Sequence, residues 1–167
     1  GYLKKDLERD PKRLDFYHYS LEGSRPFRGL KLWFTLQTLG RRGLGDLVDR
    51  TMETALQIER QVRRLDCFEL HPAPVELGSV CFRYLPPWAR RRPSGPRMRR
   101  AARGRLDRAQ VAIQQQIEKT GRAWFPVILL SRGIYFRLGV FNYRTGADDV
   151  EATLRLIREA AMGLKLG

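Results

Sequence analysis

The stretch AWFPVILLSRGIYFRLGVF, residues 123–141, contains two apolar runs separated by Ser131-Arg132-Gly133. Runs rich in β-branched and aromatic residues, joined by a short turn that contains glycine, are typical of a β-hairpin. The sequence therefore predicts two antiparallel strands, over 123–130 and 134–141.

Arg137 interrupts the second apolar run. Because side chains alternate along a strand, Arg137 shares one face with Tyr135 and Gly139, opposite Phe136 and Leu138. An arginine at this position either faces water on an open side of the sheet or, if buried, requires an anion such as a substrate carboxylate. Both interpretations stay open at this point.

The flanking sequence predicts helices and strands in the order α, α, β, β, α, β, β, α. Periodicity and capping signals place these elements at about 24–39 and 44–65 (helices), 68–70 and 80–85 (strands), 106–120 (helix), and from 145 onward (last helix). This order favours an α/β protein with an α+β subdomain, in which helices cover an antiparallel sheet. We divide the chain into a lead-in at 1–22, two helices over 23–66 and a small domain at 67–167, with an arginine-rich insertion at 89–105.

The chain has 167 residues and a net charge of +14, of which residues 89–108 contribute +8 through nine arginines and one acid. Such a run is either a phosphate-binding arm or a solvated surface insertion. Aromatic residues that would stack on nucleic-acid bases are nearly missing from it, with Trp88 alone at its edge. We therefore favour the surface insertion and do not expect a nucleic-acid partner.

The remaining chemistry is sparse. His18 and His71 lack metal-ligand spacing, so no metal site is expected. Neither Cys67 nor Cys81 has a Cys-His arrangement that suggests a catalytic nucleophile. Two cysteines without a disulfide pattern favour a reducing compartment, and we expect a cytoplasmic protein. No apolar run has the length of a membrane-spanning helix.

Four segments resemble the pyridoxal-phosphate-dependent group II amino-acid decarboxylases, which include the aromatic-amino-acid and glutamate decarboxylases. These segments are SLEGSRPFRGLKLW at 20–33, VCFRYLPP at 80–87, FRL at 136–138 and NYRT at 142–145, and the dipeptide Gly43-Leu44 continues the likeness between the first two. They occur in order over nearly the whole chain, and the first is the most specific.

The resemblance implies the C-terminal small domain of an enzyme of the aspartate-aminotransferase-like fold, also called fold type I. The cofactor implied is pyridoxal 5'-phosphate, held in this family by a lysine that follows a histidine. Neither histidine of this chain precedes a lysine. The resemblance therefore implies the C-terminal part of an L-amino-acid decarboxylase that releases CO2 and an amine, inactive alone, and a homodimer with shared active sites.

The resemblance also assigns roles to single residues. Tyr2, in a segment similar to the mobile catalytic loop, matches the tyrosine that protonates the α-carbon. Gly23 and Ser24 match a loop that contacts the cofactor phosphate of the neighbouring subunit, although Ser24 also suits a simple helix cap. Arg137 matches an arginine that binds a substrate carboxylate.

Two alternatives remain. One is an aminotransferase or aldehyde-forming member of the same family, although a tyrosine at position 2 favours decarboxylation. The other is a basic nucleic-acid or anion-binding module that uses the arginines from Arg90 to Arg108.

Overall fold

The computed structural model describes residues 26–90 and 96–164. Within these residues the elements follow one another as α1 (Gly29–Arg64), β1 (Phe68–Leu70), β2 (Ser79–Tyr84), α2 (Pro87–Arg90), α3 (Pro96–Thr120), β3 (Val127–Leu130), β4 (Gly133–Gly139) and α4 (Ala147–Gly163). The chain divides into two compact units, with the boundary between Arg41 and Arg42.

Helix α1 is interrupted at Gly40, which has φ 63° and ψ −179°. A positive φ favours glycine because no Cβ collides with the backbone. The predicted end of the first helix at Gly40 agrees with this interruption.

The apolar side chains before Gly40 are exposed. Phe27 is 74% exposed, and Trp33 and Phe34 are 52% and 55% exposed. The sequence has apolar residues on two faces of this helix, which predicts burial on most sides, and that prediction is wrong for the described chain. The physical reason is that the described residues of its unit form one helix, without a second element to cover it.

The four strands form one antiparallel sheet in the order β1-β2-β4-β3. The hairpin predicted from residues 123–141 is the pair β3 and β4, in which Ile128 lies opposite Tyr135. Strand β2 lies between β1 and β4 and pairs Phe82 with Phe136. The predicted fold class, an antiparallel sheet with helices, is confirmed.

Alternation along the strands separates a covered face from an open face. In β2, Val80, Phe82 and Tyr84 are buried, while the residues between them are only partly buried. The covered face packs against the helices of the larger unit. Their residues in the hydrophobic core cluster are Ala55, Ile58 and Val62 of α1, Ile113 and Ile117 of α3, and Val150, Leu154, Leu156, Ile157 and Ala161 of α4.

Aromatic rings cross this covered face in edge-to-face contacts. Phe136 touches both Phe125 and Phe82, with ring centroids 5.4 and 5.9 Å apart. Phe68 in turn contacts Phe82 at 5.4 Å and Tyr84 at 5.8 Å. Each such pair contributes about 0.5–1.5 kcal/mol beyond the burial of its area, so the row stabilises the sheet across its strands.

Helix α3 begins ten residues earlier than the sequence predicted, at Pro96 rather than Leu106. Proline is well tolerated at a first helical position, because its missing N–H would have no partner within the helix. The arginines and alanines that follow are good helix formers. The helix therefore runs through the second half of the arginine-rich segment.

Gln110 of α3 is fully buried and holds the end of β2. Its side-chain oxygen accepts a hydrogen bond from the Tyr84 N–H at 2.9 Å, and its amide nitrogen donates to the Tyr84 carbonyl at 3.0 Å. A third bond joins the amide nitrogen to the Leu106 carbonyl. All polar atoms of this buried side chain are thus paired, as burial of an amide requires.

The turn between β3 and β4 is also held by α3. The Asp107 carboxylate accepts a hydrogen bond from the Ile134 N–H at 2.8 Å. Gly133 has φ 127°, and a Cβ built there would lie 2.5 Å from the same carboxylate. Glycine is therefore needed at the end of this turn both for its backbone conformation and for its lack of a side chain.

Candidate functional site

The open face of the sheet is polar where the covered face is apolar. The register pairs Glu69 of β1 with Arg83 of β2, and Cys81 of β2 with Arg137 of β4. Tyr135 precedes Arg137 by two residues and shares its face. The open face therefore brings charged and titratable side chains from three neighbouring strands together.

Arg137 is exposed on this face. Its backbone is fixed by the pairing with Cys81 and by a hydrogen bond of 3.0 Å from its N–H to the Pro126 carbonyl. Among residues 26–90 and 96–164, no side chain or carbonyl pairs with the Arg137 guanidinium. A planar donor group thus stands on a paired strand with none of its N–H groups used by a described residue, which suits a carboxylate.

Arg83 differs from Arg137 in being paired. Its guanidinium forms an ion pair with Glu69 at 2.6 Å and lies 4.9 Å from the centre of the Tyr135 ring. The Arg83 side chain is only 12% exposed. Strand pairing places the two charges opposite one another, a signal that sequence analysis overlooked.

Tyr135 and His71 contact one another on the open face, and each has one polar atom without a hydrogen-bond partner among the described residues. Their rings contact edge to face with centroids 5.1 Å apart. The Tyr135 hydroxyl and His71 Nε2 are buried, and neither has a hydrogen-bond partner among the described residues. His71 Nδ1 accepts a hydrogen bond from the Ala73 N–H, so a neutral ring carries its proton on Nε2.

Burial shifts the titration of two groups on this face. It raises the pKa of the Tyr135 phenol, and the nearby Arg83 charge offsets part of that shift. It also raises the pKa of the Cys81 thiol, which Arg137 lowers in turn. Both groups are therefore protonated at neutral pH, and Cys81 lacks the thiolate character of a nucleophile.

Three predicted site residues lie outside the described residues. They are Tyr2, the candidate proton donor, and Gly23 and Ser24, the candidate cofactor contacts. Of the predicted site, Arg137 alone falls in the described part, and there it lies on the open face. The described residues contain no cluster of metal-ligating side chains.

Cys67 and Cys81 are both free cysteines. No described helix combines the length and apolar character needed to cross a bilayer.

A family model described as the pyridoxal-dependent decarboxylase conserved domain matches residues 1–85, just over half of the chain. The chain belongs to this family. The resemblance seen in the sequence is thereby confirmed, and the predicted cofactor agrees with a family of pyridoxal-dependent enzymes.

Curated relatives within the family have several activities. Histidine decarboxylase of Rattus norvegicus is 30% identical over 147 residues, which are 88% of this chain and 19% of that protein. The 3,4-dihydroxyphenylacetaldehyde synthase of Drosophila melanogaster is 44% identical over 82 residues, 49% of this chain and 16% of that protein. The chain therefore spans less than a fifth of the length of these two relatives.

Solved structures of decarboxylases share the fold. Mouse CSAD in its apo form superposes with a TM-score of 0.77 at 21% identity, over 94% of this chain and 33% of that chain. Oryza sativa TDC, crystallised with PLP and tryptamine, gives a TM-score of 0.69 at 26% identity, over 89% of this chain and 29% of that chain. The fold is that of fold type I enzymes.

The described residues do not by themselves fit pyridoxal phosphate. The described lysines, Lys31 and Lys119, lie in α1 and α3, and neither is on the strands that carry Arg137. The described part of the chain thus offers a group for a carboxylate at Arg137 but no lysine on that strand that would hold the cofactor.

Proposed function

We propose that this chain is the C-terminal part of a pyridoxal-phosphate-dependent L-amino-acid decarboxylase that releases CO2 and an amine. Membership in the pyridoxal-dependent decarboxylase family supports the reaction class. The assignment of a site rests on one observation. The Arg137 guanidinium is exposed on the open face, and no described residue pairs with it.

Arg137 binds and orients a carboxylate of the amino-acid substrate. Its planar fork donates two parallel hydrogen bonds to a carboxylate, and its charge stays fixed at all working pH values. Strand pairing fixes the backbone on both sides of Arg137. Binding of a carboxylate to the guanidinium therefore costs little backbone conformational entropy. Pyridoxal phosphate, when bound, supplies the electron sink for the loss of CO2.

The complete site requires residues from a second subunit. In this proposal Gly23 and Ser24 contact the cofactor phosphate of the neighbouring subunit, and Tyr2 donates a proton at the substrate's α-carbon. The exposed apolar side chains of Phe27, Trp33 and Phe34 support a homodimer, because large apolar surfaces rimmed by polar residues are typical of protein interfaces.

Aldehyde formation is the second candidate reaction. It is favoured by the 44% identity to the Drosophila 3,4-dihydroxyphenylacetaldehyde synthase over 82 residues. Tyr2 favours the amine, since a phenol is a neutral proton donor at working pH.

Product analysis on the full-length protein decides between the two. We expect amine and CO2 from the unchanged protein with pyridoxal phosphate and aromatic amino acids or histidine, and a diversion to aldehyde or a stalled reaction in Tyr2→Phe. Aldehyde as the main product of the unchanged protein would overturn the decarboxylase assignment. The same product ratio in both proteins would overturn the role of Tyr2.

The 167-residue chain alone is expected to be inactive, because neither of its histidines is followed by the lysine that holds the cofactor in this family. The measurement is CO2 release from labelled amino acids by the isolated chain with added pyridoxal phosphate, with the full-length protein as the positive control. Release at a comparable rate by the isolated chain would show that the required groups lie within it.

A further inference from the structure

A pocket of about 420 Å³ lies where β2, α2, α3 and the turn between β3 and β4 meet. Four arginines line it, one from each of these regions: Arg83, Arg90, Arg103 and Arg132. Its volume is within the range of small-molecule sites. Arg137 does not line this pocket. The proposed decarboxylation therefore gives the pocket no role.

Three of the four arginines are held in place by the fold. Arg83 is paired with Glu69 and also donates to the Arg132 carbonyl at 3.2 Å. Arg90 donates to the Leu85 carbonyl at 3.2 Å.

Arg103 donates to the Ser131 carbonyl at 2.8 Å. Each guanidinium has five N–H donors, so these bonds orient the groups and leave further donors for a ligand.

The four arginines outnumber the acids beside them. The Asp107 carboxylate, at the turn between β3 and β4, accepts the Ile134 N–H and does not line the pocket. Glu69 is the acid that lines the pocket with the arginines, and it is engaged by Arg83. Asp66 contacts Arg90 at 3.3 Å, but its side chain is 86% exposed and its charge is screened by water. Arg132 has no hydrogen bond or ion pair from its side chain to any residue of 26–90 or 96–164.

Convergence of like charges has a physical cost. Like charges gathered at one pocket repel one another, although water screens the repulsion between exposed side chains. Residues far apart in the sequence create this cluster, so the arginine-rich run alone does not explain it. Bringing such groups to one cavity is favourable when an anion with several acceptor oxygens occupies it.

The walls between the arginines are apolar. Phe68, Leu85 and Leu106 line the pocket together with Ala89 and Ala102. A free inorganic anion would leave this surface wet, whereas an organic group attached to the anion would cover it.

We propose that this pocket binds a small organic phosphate, with the phosphate held by the converging arginines and the organic group against the apolar wall. A phosphate monoester carries nearly two negative charges and offers three acceptor oxygens, which matches donors that arrive from several directions.

The test is calorimetric titration of the full chain with phenyl phosphate in a chloride buffer free of phosphate. We expect saturable binding of one phenyl phosphate per chain, with inorganic phosphate at least about tenfold weaker and phenol without measurable binding. Arg132→Gln should weaken binding about tenfold, because it removes a charge-assisted contact and keeps the backbone carbonyl that Arg83 uses. Arg50→Gln, an equal change of charge on exposed α1, should leave affinity within about twofold.

A second pair of variants tests the pocket without changing charge. Ala102→Trp fills the apolar wall and should abolish phenyl phosphate binding, whereas Ala101→Trp, at the exposed neighbouring position, should not. Three outcomes would each overturn the proposal. The first is equal weakening by Arg132→Gln and Arg50→Gln, and the second is equal affinity for inorganic and phenyl phosphate. The third is binding that Ala102→Trp leaves unaffected in a folded protein. Binding is measured without any catalytic readout, so the outcome is independent of the proposed decarboxylation.

Discussion

The two faces of the same sheet differ in how completely their polar atoms are paired. On the covered face the buried polar side chain, Gln110, satisfies its hydrogen bonds against Tyr84 and Leu106. On the open face the Tyr135 hydroxyl and His71 Nε2 are buried without partners among the described residues. No residue of 26–90 or 96–164 pairs with the Arg137 guanidinium. The covered face therefore determines the fold, whereas the open face retains the groups that are available for chemistry.

The largest expected effect is on the covered face. Phe82→Ala removes the ring that contacts both Phe68 and Phe136, and should lower the free energy of unfolding by about 3–5 kcal/mol. Denaturant unfolding of the full chain measures the loss, with Phe82→Leu as a milder variant that keeps most of the apolar volume and loses the two ring contacts, at a cost of about 1–3 kcal/mol. A negligible loss in Phe82→Leu would show that the ring contacts contribute nothing beyond apolar volume.

The next effect tests the clamp on β2. Gln110→Leu keeps the size of the side chain but leaves the Tyr84 N–H and carbonyl without their partner, which should cost about 1–3 kcal/mol. Gln115→Leu, on the exposed side of α3, is the matched control and should change stability by less than about 0.5 kcal/mol. If both substitutions had the same small effect, the paired amide would not be a source of stability.

On the open face the removal of a buried polar atom should raise the free energy of unfolding slightly, in contrast to the loss expected for Gln110→Leu. Tyr135→Phe deletes a hydroxyl that has no described partner, so we expect no loss of stability and a gain of up to about 1 kcal/mol. A loss above 1 kcal/mol, again from denaturant unfolding, would mean that the hydroxyl has a partner and that the two faces do not differ as described.

The same variant has a signature in the pH dependence of stability. Burial raises the pKa of Tyr135 above its ordinary value of 10.0, so the folded state keeps this proton after the unfolded chain has lost it. The resulting stability is fully present below pH 10 and declines as the pH rises toward the folded pKa. Unfolding between pH 9 and pH 11 should show a shallower decline in Tyr135→Phe than in the unchanged chain, and identical slopes would contradict the raised pKa.

The sequence predicts the sheet better than it predicts the contacts that hold it. The 123–141 hairpin and the strand at 68–70 are readable because alternation and turn residues are local signals. The early start of α3 is missed because Pro96 resembles a loop residue until its first-turn position is known. Gln110 has a signal that was overlooked, since it lies on the same helical stripe as Leu106, Ile113 and Ile117, where a polar residue must be buried.

The candidate site is less predictable than the fold. The alternation that placed Arg137 on the face opposite Phe136 is correct. Whether the Arg137 guanidinium is paired, however, depends on which residues the other strands bring beside it. The arginine pocket could not be predicted from the run at 89–108, because Arg83 reaches it from β2 and Arg132 from the turn between β3 and β4. Convergence of this kind is a property of the tertiary structure.

The most direct measurement of the central claim is the effect of Arg137→Gln on kcat/KM of the full-length protein. Because Arg137 is exposed and unpaired among the described residues, the substitution should change stability by less than about 0.5 kcal/mol. Loss of the carboxylate contact should lower kcat/KM for the amino acid about 10- to 100-fold, with partial recovery in Arg137→Lys. Arg60→Gln on α1 is the control and should retain full activity, whereas unchanged kcat/KM in Arg137→Gln would contradict the assignment of Arg137 as the group that binds the substrate carboxylate.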